Sequence, residues 1–204
     1  MKKPPTFGKE KGAEFERMLS KRFSLWVSGG ERKDLFWRTA GSGGRAVNVL
    51  GDAAHHAGDV GATSAEGEAL TKHFMIEARN WKDLELRRLI TRNEGMCIEH
   101  WLEKGALAKE LGKHLMAIFK EDYQPTMLWV DGFGDSVIEN CEDGVDTLCE
   151  FGSVGAFVYD FEEVLSINWH TFVNHIWISS RPQLSPPMSS LGLRLEPRAL
   201  SGAE

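Results

Sequence analysis

The sequence predicts an α/β domain in which helices flank a mixed central sheet, and three observations carry that reading. An amphipathic stripe opens the chain: Phe15, Met18, Leu19, Phe23 and Trp26 recur at helical period between Glu10 and Val27. Three segments with strand character follow, at 35–39, 59–63 and 72–80. A long helical pattern then leads to two short apolar runs and a closing helix. The predicted order is α, β, β, β, α, β, β, α, with an α-β-β-β-α-β core.

Each element has a local justification. Gly29-Gly30 stops the first helix. Leu35-Phe36-Trp37-Arg38-Thr39 is rich in strand formers between turn residues, and Gly41-Ser42-Gly43-Gly44 opens a loop that extends toward Ala57. The polar run Ser64-Ala65-Glu66-Gly67-Glu68 reads as the turn of a hairpin joining strands 59–63 and 72–80. Asp83 is placed to cap a short helix through Ile90. Met96 to Phe119 is the longest helical candidate, with Cys97, Trp101, Ala108, Leu111, Leu115 and Ile118 near one face. Pro125 to Val130 and Ala156 to Tyr159 read as buried strands, and Asp160 opens a last helix carrying Val164, Leu165, Trp169, Phe172, Val173 and Ile176. Residues 1–178 make one domain; 179–204, rich in Pro and Ser, read as a disordered tail.

Bulk properties narrow the function. No apolar run approaches the ~20 residues of a membrane span, and Met1-Lys2-Lys3-Pro4-Pro5 lacks the apolar segment of a secretory signal. Cys97, Cys141 and Cys149 form no CxxC pair, which suits a reducing, cytoplasmic setting and disfavours zinc at Cys97 with His100 or at His55-His56. The net charge of −6 conceals an asymmetry. Residues 1–50 carry 11 Lys and Arg against 5 Asp and Glu, and the remainder 13 against 25. A basic first quarter can attract phosphate although the whole chain is acidic.

The residues with the most chemical content are Asp59 and, eighteen positions later, Glu77-Ala78-Arg79. If the two strands pair, both carboxylates reach one metal ion, and acidic oxygen pairs of this kind hold Mg²⁺ against a phosphate. Strand alternation sets Glu77 and Arg79 on one face and Ile76 and Ala78 on the other. Gly58 before Asp59 permits close backbone approach. Asp52, also preceded by glycine, is the competing aspartate, but it lies outside any strand pattern. On the first helix Glu16 lies nearer the apolar stripe than Glu14. Ser42-Gly43-Gly44-Arg45 lacks the phosphate-loop pattern. Most tryptophans fall on apolar stripes, whereas Trp81 directly follows the acidic motif.

These residues resemble the PD-(D/E)xK nuclease superfamily, notably its Holliday-junction-resolvase-like and phage-encoded branches. Gly12-Ala13-Glu14-Phe15-Glu16-Arg17, Ala57-Gly58-Asp59-Val60, Phe74 through Lys82, and Pro125 through Val130 carry the resemblance over residues 10–165. It implies a restriction-endonuclease-like core and a metal-dependent DNA endonuclease, with branched DNA one candidate substrate. Asp59, Glu77 and the carbonyl of Ala78 would hold Mg²⁺ or Mn²⁺, with Glu16 assisting and Arg79 stabilising charge on the phosphate. Arg38, Arg45 and Lys82 would contact the DNA backbone, and a homodimer is left open.

Arg79 departs from the family's lysine. Arginine keeps the charge and can grip two phosphate oxygens, but it is effectively never deprotonated and cannot act as a base. A bound ion lowers the pKa of its water, so hydrolysis is not forbidden. Lys72 and Lys82 are alternative sources of the lysine. Two other readings stay open: a DNA-binding or assembly module with weakened catalysis, and a protein-interaction domain with no nucleic-acid role. Metal-dependent cleavage separates the first reading from both.

Overall fold

The computed structural model describes residues 7–39, 57–82, 84, 88–89, 96–141 and 145–180. Arg45, Asp52, His55, His56, Asp83 and residues 181–204 of the expected tail lie outside them, whereas Ser179 ends the last helix. The chain begins with α1 (Phe7–Val27), then β1 (Phe36–Arg38), β2 (Val60–Ala62), α2 (Ala65–Thr71) and β3 (Phe74–Trp81). Next come α3 (Met96–Glu110), β4 (His114–Glu121), β5 (Thr126–Asp131) and α4 (Gly132–Glu139). β6 (Cys149–Phe151), β7 (Ala156–Asp160), α5 (Phe161–Ser166) and α6 (Trp169–Ser179) complete the domain.

Five strands form a mixed sheet in the order β3-β4-β5-β7-β6, in which β3 and β4 are parallel and the other neighbours antiparallel. Alternation along β3 and β4 divides the core into two layers. Phe74, Ile76, Ala78, Met116 and Ile118 pack on Phe15, Leu19 and Phe23 of α1 and on the C-terminal helices. Met75, Leu115, Ala117 and Phe119 pack on Trp101 and Ala108 of α3. The parity of β3 places Glu77 on the α3 side, opposite Ala117, whose small side chain leaves room above the sheet.

The α/β architecture is as expected, but four local expectations are corrected. The 64–68 segment is helix α2 rather than a hairpin turn, because Ser64 caps it and Glu66 and Glu68 lie in its first turn. The strands on either side are therefore not antiparallel neighbours. β2 pairs antiparallel with β1, and among the described residues only Gly58 bridges β3, in parallel, at Ile76. The expected Met96–Phe119 helix ends at Glu110. Gly112 takes φ +67°, and the amide of Lys113 closes the helix on the carbonyl of Ala108. Residues 114–121 become β4, a buried strand that no periodicity in the sequence announced. The last helix is two, since Asn168 accepts from the amides of His170 and Thr171 and caps α6 afresh.

Candidate active site

β3 is the edge strand of the five-stranded sheet, so one side of its backbone needs partners from elsewhere. Residues 58 and 59 supply them. The amide of Asp59 donates to the carbonyl of Ile76 at 2.7 Å, and its carboxylate Oδ2 accepts from the amide of Ala78 at 2.9 Å. Asp59 thus spans two successive peptides of β3 and stands beside Glu77. Gly58 makes this approach possible: its φ is +101°, and a Cβ there would lie 2.4 Å from the carbonyl oxygen of Ile76. The hydroxyl of Thr39, just past β1, donates to the carbonyl of Gly58, and the amide of Thr39 donates to that of Asp59.

Both carboxylates are buried, Asp59 at 1% and Glu77 at 4% exposure, and two cations face them. Arg79 Nη1 lies 3.0 Å from Asp59 Oδ2 and 3.0 Å from the carbonyl oxygen of Ala78. Its Nη2 is 3.7 Å from Glu77 Oε2, an ion pair too long for a hydrogen bond. On the other side Lys104 Nζ of α3 donates to Glu77 Oε1 at 3.0 Å. Among the described residues the buried Glu77 Oε2 has no hydrogen-bond partner. Burial, then the negative charge of Asp59, raises the Glu77 pKa above its ordinary value, and Lys104 and Arg79 oppose the rise.

This set of atoms fits a hard divalent cation. Two carboxylates and the Ala78 carbonyl are oxygen donors of the kind Mg²⁺ and Mn²⁺ take, and Glu77 Oε2 is an acceptor in need of a partner. The guanidinium of Arg79 already lies against all three. Among the described residues no three His, Cys, Asp or Glu side chains gather into a metal-binding group. Glu16 therefore does not join Asp59 and Glu77 as a third ligand. It is buried on α1 and bonded to the guanidinium of Arg38 on β1.

The remaining sequence candidates are spread more widely. Arg38 is tied to Glu16 while part of its side chain stays exposed. Lys82 is exposed just beyond β3, and Lys72 is exposed before its other end. Trp81 packs on His100 and Trp101 at ring-centroid distances of 6.0 and 5.5 Å, so much of its surface is used within the fold. Trp37 on β1 departs from the expectation that most tryptophans lie on apolar stripes, at 45% exposure. Sequence reasoning missed Lys104. Its only sequence signal is a lysine three positions after Trp101 and four before Ala108, on the side of α3 that meets the sheet.

A mixed sheet whose edge strand gathers an aspartate, a glutamate and a cation defines a nuclease-like α/β domain of the PD-(D/E)xK class. The family model described as "Phage putative PDDEXK endonuclease" matches residues 8–175, and the chain belongs to that family. No curated protein and no solved structure matches the chain. Among the described residues no helix is long and apolar enough to cross a membrane.

Proposed function

We propose that the protein is a metal-dependent endonuclease that hydrolyses DNA phosphodiesters in the cytoplasm of a bacterial or phage-infected host cell. One observation carries the reading: two buried carboxylates from separate segments converge on a single positive group, the Arg79 guanidinium. Membership of the PDDEXK family supports the same reaction class. Asp59, Glu77 and the carbonyl of Ala78 would hold Mg²⁺ or Mn²⁺. The ion, when bound, supplies a Lewis acid for the phosphate and lowers the pKa of a water.

The chain's own residues do the rest. Asp59 is fixed by the β3 backbone, so one metal-binding oxygen is in place before any ligand arrives. Arg79 turns from the carboxylates to the phosphate and opposes the charge that develops there. Glu16 acts at one remove by holding Arg38, which with Arg45 and Lys82 contacts the DNA backbone. A homodimer would present two such sites to the two strands of a duplex.

A second reading has its own observation. Arg79 already bonds to Asp59 and to the carbonyl of Ala78, so these two oxygen donors have a cationic partner without a metal, as suits a DNA-binding or assembly module with little catalysis. Incubation with linear and branched DNA in Mg²⁺, Mn²⁺ or EDTA separates the two. Cleavage that requires metal and is lost in Asp59→Asn supports the enzyme. Salt-sensitive binding without cleavage supports the module.

A further inference from the structure

The site contains a cation that the E-x-R motif does not supply. Lys104 belongs to α3, 27 residues beyond Glu77 in sequence, and reaches over the sheet to Glu77 Oε1 at 3.0 Å. Its side chain is 19% exposed, so it is drawn in from solvent yet still open on one side. Lys82 lies five residues after Glu77, ~16 Å along the backbone at the rise of a strand, and Lys72 caps α2 before β3 begins.

Lys104 and Arg79 are held differently. Arg79 commits Nη1 to two acceptors and has Nη2 near a third. Among the described residues Lys104 gives one of its three donors, to Glu77, which leaves two for another acceptor. The packing of Trp101 on Trp81 and Phe119 fixes α3 one turn before Lys104, so the ammonium is aimed by the core. A phosphate that shares an ion with Glu77 lies against that carboxylate, as the Lys104 ammonium already does.

We propose that Lys104 is a catalytic residue whose ammonium contacts the scissile phosphate from the Glu77 side, opposite Arg79. The assignment rests on the endonuclease reading above. In the hydrolysis a water oxygen bonds to phosphorus and the phosphorus–oxygen bond to one sugar breaks. The water's proton passes to solvent, and the leaving alkoxide takes a proton from solvent. Lys104 keeps its three protons and acts through charge and hydrogen bonding. If Lys104 instead only neutralises buried Glu77, its removal leaves the rate at saturating metal and DNA intact.

The test is single-turnover cleavage of one DNA substrate by the full chain and by Lys104→Gln and Lys104→Arg. Mn²⁺ binding without DNA is measured by electron paramagnetic resonance, and folding by thermal melting. At saturating Mn²⁺, Lys104→Gln loses about a hundredfold in rate, the size of one lost transition-state donor. Its Mn²⁺ affinity is unchanged or higher, because a competitor for Glu77 has gone. Lys104→Arg keeps most of the rate. A Lys104→Gln rate within about threefold of wild type overturns the proposal, as does a loss that added Mn²⁺ restores. Should the glutamine variant fail to fold, a folded, Mn²⁺-binding Lys104→Arg decides: near-wild-type cleavage supports the role, and none overturns it. A wild-type chain that cleaves no DNA with metal overturns the endonuclease reading itself, and this role with it.

Discussion

Arg79 donates from a single nitrogen, Nη1, to Asp59 Oδ2 and to the carbonyl of Ala78, at 3.0 Å each. The motif's cation therefore lies against the oxygens proposed for the metal, and ion binding has to displace it.

Replacing Arg79 should separate these roles. Arg79→Ala is expected to lower the melting temperature of the metal-free chain, because it leaves Asp59 buried with one partner fewer. Added Mg²⁺ should raise that temperature more than in wild type. Cleavage should fall about a hundredfold, the loss of one electrostatic contact worth ~3 kcal/mol. Arg79→Lys should retain or raise activity. Melting with EDTA and with Mg²⁺, beside single-turnover rates, checks both halves. An alanine variant with no change in either readout makes the motif a coincidence.

Metal binding should depend on both carboxylates. Asp59→Asn and Glu77→Gln are each expected to weaken Mn²⁺ binding, since neutral amides offer no charge to the ion. Calorimetric titration reads the effect. Unchanged affinity in both variants removes this site from consideration.

The Glu77 shift gives a pH dependence of definite sign. Its folded-state pKa lies above the ordinary value of 4.5, so from that pH upward the folded chain holds the proton more tightly than the unfolded one. The contribution of Glu77 to stability therefore falls as pH rises through this window. Asp135, also raised, acts in the same direction. The difference between wild type and Glu77→Gln isolates the contribution of Glu77. In EDTA the glutamine variant should show a shallower decline in melting temperature, and Mg²⁺ should reduce the decline only in wild type. Parallel curves for the two proteins would contradict the assignment.

Gly58→Ala should damage the site through the backbone. The φ of +101° and the 2.4 Å approach to Ile76 are denied to alanine, so the bridge that holds Asp59 must open. A loss of ~2 kcal/mol in stability is expected, with weaker Mn²⁺ binding. Chemical denaturation and the same metal titration measure both, and a variant as stable as wild type argues against the strain.

Away from the site, the buried hydroxyl of Tyr159 donates to the carboxylate of Asp135, joining β7 to α4. Tyr159→Phe leaves that carboxylate short of a donor and should cost ~1–3 kcal/mol in urea denaturation. Nuclease activity per folded molecule should not change.

The sequence by itself determined the local patterns. The stripe of Phe15, Leu19 and Phe23 specified α1, because only one helical face recurs at that period. Alternation along Phe74–Trp81 put Glu77 and Ala78 on opposite faces, and a glycine before Asp59 marked the tight backbone approach. Signals at Gly112, Ser64 and Asn168 were present too, but helical periodicity across 96–119 overrode the first and a polar run disguised the second.

Tertiary structure decided the rest. Residues 114–121 are a strand because β3 and β5 pair with them on both sides, and no local pattern encodes that pairing. Asp59 meets Glu77 through a parallel bridge at a sheet edge rather than a hairpin, because α2 carries the chain back before β3 begins. Lys104 enters the site only because Trp101 and Ala108 seat α3 over Ala117. Spacing along a chain fixes which face a side chain takes within its own element. Which distant element that face meets depends on the burial of many residues at once.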